Sequence, residues 1–200
     1  MKTLQCQRNK VLEMIPKNGT CLEIGVLKGI FSKKILDITK PKILHGVDPW
    51  CTQNTATNQR YTHDDNLMFT KKLLEPYIIN KKLVLHQTFS EVLLPTFPDN
   101  YFDWVYIDGN HSYESVSAEL KILDKKVKKS GYILGHDFIN PDLYPENRRH
   151  RFQVVQAVKD FVNKSDWELI AKTPDNPPGA KYCPTFVLKH GRNTNDPFIL

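Results

Sequence analysis

The sequence predicts an α/β fold: a seven-stranded, mostly parallel sheet with helices on both faces and an antiparallel hairpin at its end. Three observations predict it. Short apolar runs alternate with helix-period patterns along nearly the whole chain, which is the signature of repeated β-α-β units. The first five apolar runs are linked by helical segments, so their strands run parallel. The last two are separated only by a turn-rich loop, so they pair as an antiparallel hairpin.

The elements follow in order. "TCLEIG" (20–25) reads as a strand and "IFSKKILDIT" (30–39) as a helix. "KILHGVD" (42–48) is the second strand. "THDDNLMFTKKLLEPY" (62–77) is a helix, with Thr62 as N-cap and Asp65 three residues on. "KLVLHQ" (82–87) and "FDWVYID" (102–108) are strands. "YESVSAELKILDKKV" (113–127) is a helix whose apolar stripe is Val116, Leu120, Leu123 and Val127. "GYILGHD" (131–137) is the fifth strand and "FQVVQAVKDFVNK" (152–164) a helix. "WELIAK" (167–172) and "TFVLKH" (185–190) form the hairpin.

Two hundred residues fit a single domain, 1–200. The polar stretch at about 49–61 has the length and composition of a lid over a site, and the tail at about 190–200 reads as loose. No apolar run approaches the roughly 20 residues that span a bilayer. The N-terminus is too polar for a signal peptide. The four cysteines are widely spaced, which suggests neither zinc nor a disulfide framework and favours a reducing, cytoplasmic setting. Of the formal charge of +6, much comes from "KILDKKVKKSG" (121–131), where lysines complement a helix C-terminus. The basic "NRRHR" (147–151) follows a site strand, but no aromatic-basic stripe calls for nucleic acid.

"LEIGVLKG" (22–29) runs off a strand into a helix and carries Gly25 and Gly29. These let the backbone turn tightly and approach a ligand. The spacing is wrong for G-x-G-x-x-G, so a dinucleotide pyrophosphate fits poorly. Asp48 ends the next strand, where an acid would hold a ribose hydroxyl pair. A nucleoside without a pyrophosphate, such as S-adenosylmethionine, satisfies both features.

With these segments, "GVDPW", "HQTFSEVLLPTFPDNYFDWVYIDGNHSYESV" and "GYILGHDF", the chain resembles the class I S-adenosylmethionine-dependent methyltransferases, which have a Rossmann-like fold. Within them it is most similar to the macrocin- and mycinamicin-type sugar O-methyltransferases. The resemblance implies that Glu23, Gly25 and Gly29 surround the methionine part, that Asp48 binds the ribose, and that Gln87 and Ser90 lie near the adenine.

"VYIDGNHSYESV" (105–116) crowds Asp108, Asn110 and His111 into one turn after a buried strand. The strand order that the resemblance implies puts the strand ending at Asp137 beside this one, and neighbouring strands are about 4.8 Å apart. Two carboxylates so close need a positive partner, and a divalent cation such as Mg²⁺ or Mn²⁺ is the natural one. The resemblance implies that Asp108 binds metal and His111 is the general base. Where the family often has two acids after the fifth strand, this chain has His136 and Asp137, and histidine favours softer ions. Strand alternation would turn His136 and Asp137 to opposite faces. Asn110 and Ser112 read as helix caps.

The expectation is therefore an O-methyltransferase acting on a sugar or glycan hydroxyl, with catalytic Asp108 and His111, and Asp108, Asp137 and His136 as metal ligands. Alternatives are a nucleic-acid or other small-molecule methyltransferase, a metal-dependent hydroxylase-like relative, or an NAD-dependent oxidoreductase, which the glycine spacing opposes. "DNPPG" (175–179) reads as a turn. His63, Asp64 and Asp65 read as helix-start residues. The acceptor sugar and any homo-oligomer are not legible.

Overall fold

The structure, a computed structural model, describes residues 1–4, 6–51, 63–140, 153–174, 183–191 and 198, without the side chains of residues 63 and 64. Most of the expected lid, the Thr62 cap, the 147–151 segment, the 175–179 turn and most of the tail lie outside these residues.

One sheet organises the chain. Its strands are β1 (Lys2–Thr3), β2 (Thr20–Ile24), β3 (Ile43–Asp48), β4 (Leu83–Gln87), β5 (Phe102–Ile107), β6 (Val127–Gly135), β7 (Trp167–Lys172) and β8 (Phe186–His190). They lie in the order β1-β7-β8-β6-β5-β2-β3-β4. Only β8 runs against the rest, antiparallel to both β6 and β7. The expected hairpin is present, and the sheet has eight strands rather than seven. The additional β1 is two residues long and exposed, so it carries no apolar run for a sequence reading to find.

Among the described residues the α-helices are α1 (Arg8–Met14), α2 (Ile30–Thr39), α3 (His63–Leu73), α4 (Glu75–Ile79), α5 (Ser90–Leu93), α6 (Tyr113–Lys126) and α7 (Val154–Lys164). The segment expected as one helix over 62–77 is two. Pro76 lacks the N–H needed to continue α3, and it sits instead in the first turn of α4. The fifth strand begins earlier than expected, because Val127 already pairs with Phe102 before the register shifts at Trp104. It stops at Gly135, and Asp137 then takes a left-handed conformation (φ 53°).

Alternation along each strand builds two cores. Cys21, Trp104, Tyr106 and Leu134 pack under α1 and α2 with Val11, Phe31 and Ile35. Leu22, Ile24, Val105 and Ile107 pack under α6 and α7 with Val116, Leu120, Leu123 and Val158. The chain crosses from β2 to β3 on one side and returns to β5 on the other, so the sheet's switch point lies between β2 and β5. Open α/β sheets bind ligands at that place.

Gly25 sits there, with φ 88°. A Cβ on it would lie 2.1 Å from the Asp108 carbonyl oxygen. Gly25→Ala is expected to cost at least about 3 kcal/mol, from backbone strain plus a backbone clash. Gly191 also has positive φ (65°), but among the described residues nothing lies within 4 Å of its absent Cβ. Gly191→Ala should cost only about 1 kcal/mol. Urea unfolding of the two variants checks the contrast, and equal losses would contradict it.

Candidate active site

Four parallel strands end side by side at one edge. Gly25 N–H donates to Val47 O (2.9 Å), Asp108 N–H to Ile24 O (2.7 Å) and His136 N–H to Ile107 O (2.9 Å), so the ladder runs past the strand ends. This levels Asp48, Gly25, Asp108 and Asp137 along that edge. Above them opens a cavity of about 740 Å³, whose wall includes Gly25, Asp48, Ser90, Asp108, His111 and Glu119. That volume falls in the usual range for small-ligand sites.

Asp48 splints the turns on either side of it. Its Oδ2 accepts from the backbone N–H of Val26 (3.1 Å) and Leu27 (2.9 Å), and its Oδ1 from that of Trp50 (2.8 Å). A carboxylate has about four acceptor positions, so capacity for a ligand hydroxyl remains. Leu27 is left-handed (φ 51°) and so is Trp50 (φ 40°). The Trp50 indole N–H and the Thr70 hydroxyl both donate to Leu27 O, at 2.8 and 3.0 Å, and hold that strained turn.

Glu23 does not line the cavity. It is buried beneath α2, where it accepts a hydrogen bond from the Ser32 hydroxyl. Burial pushes its pKa up to about 8. Gly29, also left-handed, starts α2. Gln87 ends β4 exposed and forms no part of the cavity wall. Ser90 is buried in the wall and donates to Glu119 Oε1 at 2.6 Å.

Beyond β5 and β6, two acids and three bases converge. Arg8 of α1 lies over the Phe31 ring and reaches Asp108 Oδ2 at 3.1 Å. His111 Nδ1 is 3.0 Å from Asp137 Oδ2. Its Nε2 is 3.6 Å from Asp108 Oδ1, beyond hydrogen-bond length, and is buried without a partner among the described residues. His136 Nδ1 is 3.3 Å from both Asp108 Oδ1 and Asp137 Oδ1. The expected opposition of His136 and Asp137 therefore does not occur. Alternation ends with the strand at Gly135, and the left-handed Asp137 brings both side chains to one side.

The charges in this cluster set one another. Burial opposes ionisation of Asp108, but the nearby His111 and His136 and the Arg8 charge outweigh it and hold its pKa below the usual value. The same balance holds Asp137 well below the carboxylate range. Burial would lower both histidines, yet the paired carboxylates raise His111 and push His136 up to about 9.

Donor atoms within 4.8 Å of one another come from Asp108, His111 and Asp137, and from His136, Asp137 and Cys183. Either group can fit a divalent cation. The set read from the sequence, Asp108, Asp137 and His136, is divided between the two. Ser112 and Asn110 serve the backbone: Ser112 Oγ accepts from Ser115 N–H, and Asn110 Oδ1 from Ser112 N–H. Sequence reading missed Arg8, Cys183 and Glu119. For Glu119 a signal existed, because it falls within the apolar stripe of α6, three residues after Val116.

Sheet order, switch-point cavity and edge acids define a class I S-adenosylmethionine-dependent methyltransferase fold. Residues 22–138, more than half the chain, match the family described as a methyltransferase domain, and the chain belongs to that family. Among curated proteins, uncharacterized protein R132 of Acanthamoeba polyphaga mimivirus is 27% identical over 146 residues, 72% of this chain. The matched region spans only 59% of that protein's length. Cofactor-bound Rv0187 from MTB superposes with a TM-score of 0.69 at 14% identity, covering 95% of this chain and 83% of that one. The N-methyltransferase NodS of Bradyrhizobium japonicum WM9 gives 0.65 at 10% identity, covering 92% and 95%. At such identities the likeness shows the fold alone. No described helix is long and apolar enough to cross a membrane.

The shifted groups fix how stability depends on pH. Glu23 and His136 bind protons more tightly folded than unfolded, where their values are 4.5 and 6.5. The His136 contribution is complete below pH 6.5 and lost as pH rises through about 9. Burial of Glu23 costs nothing in ionisation below pH 4.5 and increasingly more up to about 8. Asp108 and Asp137 act oppositely, and their contribution is lost only in strong acid. Below pH 6.5 the buried His45 and His86, whose pKa values burial lowers, offset Glu23. Unfolding free energy from urea titrations should therefore fall between pH 6.5 and pH 9, and Glu23→Gln should flatten the lower part of that decline. An unchanged slope in the variant would contradict the assignment.

Proposed function

We propose that the protein is an S-adenosylmethionine-dependent O-methyltransferase that methylates a hydroxyl of a sugar or glycan, with His111 as general base. One observation carries this reading: His111 Nδ1 is engaged by Asp137 at 3.0 Å while Nε2 is buried without a partner in a residue of the cavity wall. The engagement assigns a proton to Nδ1 and leaves the Nε2 lone pair to act. A hydroxyl is a poor nucleophile until its proton is removed, whereas an amine carries a free pair, so a positioned base favours oxygen as acceptor. In the step itself the acceptor oxygen bonds to the methyl carbon as the carbon–sulfur bond breaks. The sulfonium becomes a neutral thioether, and the acceptor proton passes to Nε2.

The sugar class draws on the resemblance carried by "IDGNHSY" and on the acids beside His111. Carboxylates accept from hydroxyls, and two of them suit an acceptor with neighbouring hydroxyls. Asp137 orients His111. A divalent cation would be held by Asp108 and Asp137 with His136 beside them, and it supplies Lewis acidity to acceptor oxygens. The nitrogen donor favours Mn²⁺ over Mg²⁺. Asp48 takes the ribose and the Gly25 turn admits the methionine part.

The test is transfer of labelled methyl from S-adenosylmethionine to a panel of mono- and oligosaccharides, with the product identified as a methyl ether. His111→Ala is expected to lower kcat by roughly 10²–10⁴ with cofactor affinity unchanged. Because the neighbouring carboxylates raise its pKa, turnover should climb with pH above 6.5 until Nε2 loses its proton. EDTA should slow turnover and Mn²⁺ restore it. Methyl transfer to nitrogen, or undiminished turnover in His111→Ala, would overturn the reading.

A further inference from the structure

Glu119 is an acid in an apolar place. It lies on α6 between Val116 and Leu120, is 2% exposed, and belongs to the cavity wall. Ser115, one turn earlier on the same helix, is in that wall too, as is His111 just before the helix. These positions make a polar track along one face of α6.

Its two oxygens differ. Oε1 accepts from the Ser90 hydroxyl at 2.6 Å. Among the described residues, Oε2 is buried with no hydrogen-bond partner. A buried acceptor without a donor is costly, and folded chains seldom leave one unless a ligand completes it. Glu119 is a residue of the cavity wall, so the cavity's occupant is the candidate source of the missing donor. That donor is neutral or cationic and carries an N–H or O–H.

The position of Asp48 narrows the occupant's chemistry. If the ribose rests on Asp48 at the end of β3, the base extends across the wall formed by Phe89 and Ser90 after β4 and by α6. Val47, Pro49 and Phe89 give that part of the wall apolar surface for a flat ring. An adenine offers one strong donor at its rim, the 6-amino group. Burial pushes the Glu119 pKa up to about 7, so above neutral pH it is an acceptor only.

We infer that Glu119 is the specificity-determining residue for the nucleobase, with its unpartnered Oε2 accepting from the 6-amino group of adenine while Ser90 holds Oε1. The inference rests on the cofactor reading above. Ser90 is then a positioning residue: it locks one oxygen and so presents the other.

The test is calorimetric titration at pH 8 of S-adenosylhomocysteine and of its purine analogue lacking the 6-amino group. Wild type should bind the amino form about 10- to 100-fold more tightly, the size of one hydrogen bond to a charged acceptor. Glu119→Gln keeps the shape. With its carbonyl held by Ser90 it turns an NH₂ toward the base, so the preference should shrink to about threefold or less. Wild type that binds S-adenosylhomocysteine but prefers it over the analogue by less than about threefold overturns the inference, whether or not the variant folds. So does a folded Glu119→Gln that keeps the preference. In both cases the cofactor reading stands. Wild type that binds neither compound overturns the cofactor reading and the inference with it.

Discussion

The close approach of Gly25 to the Asp108 carbonyl is the constraint on which the rest depends. The end of β2 must turn where the end of β5 passes, and only a residue without a Cβ leaves room. With that contact made, Asp108 N–H closes onto Ile24 O and fixes where the β5 turn begins. The Asp108 side chain then faces Arg8 on α1, and the turn that follows carries His111 and the start of α6. On the other side Gly25 N–H bonds Val47 O, so Asp48 comes level and its carboxylate can tie down Val26 and Leu27. One missing methyl group thus aligns the Asp48 side of the cavity with the Asp108 side.

The second organising element is electrostatic. Asp108 and Asp137 would repel across adjacent strands if left alone. Arg8, His111 and His136 each approach one or both carboxylates, so opposite charges interleave. Partly buried pairs of this kind add little net stability, but removing one member leaves a charge without compensation. Their use here is geometric. The contacts fix which nitrogen of His111 is engaged and which is free, and they join α1 to a site built from strands that follow it by about a hundred residues.

Much of the fold was legible because the central strands are buried on both faces and so read as apolar runs between helices. What was not legible had specific causes. β1 is too short and exposed to leave a pattern, and the lysines of "KKVKKSG" look like the end of a helix although Val127 already pairs with Phe102. Pro76 was a visible break in the long helix. In the site, Gly25, Asp48, Asp108, His111 and Asp137 could be read because strand ends converge on one edge. Arg8 could not, since nothing local ties α1 to the end of β5. The orientation of His136 was misread by carrying strand alternation past the strand's last residue. Glu119 was readable as an acid inside an apolar stripe and was passed over.

The proposed function requires that the switch-point cavity hold an adenosyl cofactor with its sulfur turned toward His111. A crystal structure with S-adenosylhomocysteine bound tests it most directly. The ribose hydroxyls should lie on Asp48, the homocysteine part along the turn at Gly25, and the sulfur on the side of the cavity where His111 Nε2 waits. A ligand bound elsewhere, or one whose sulfur points away from His111 toward β4, would contradict it.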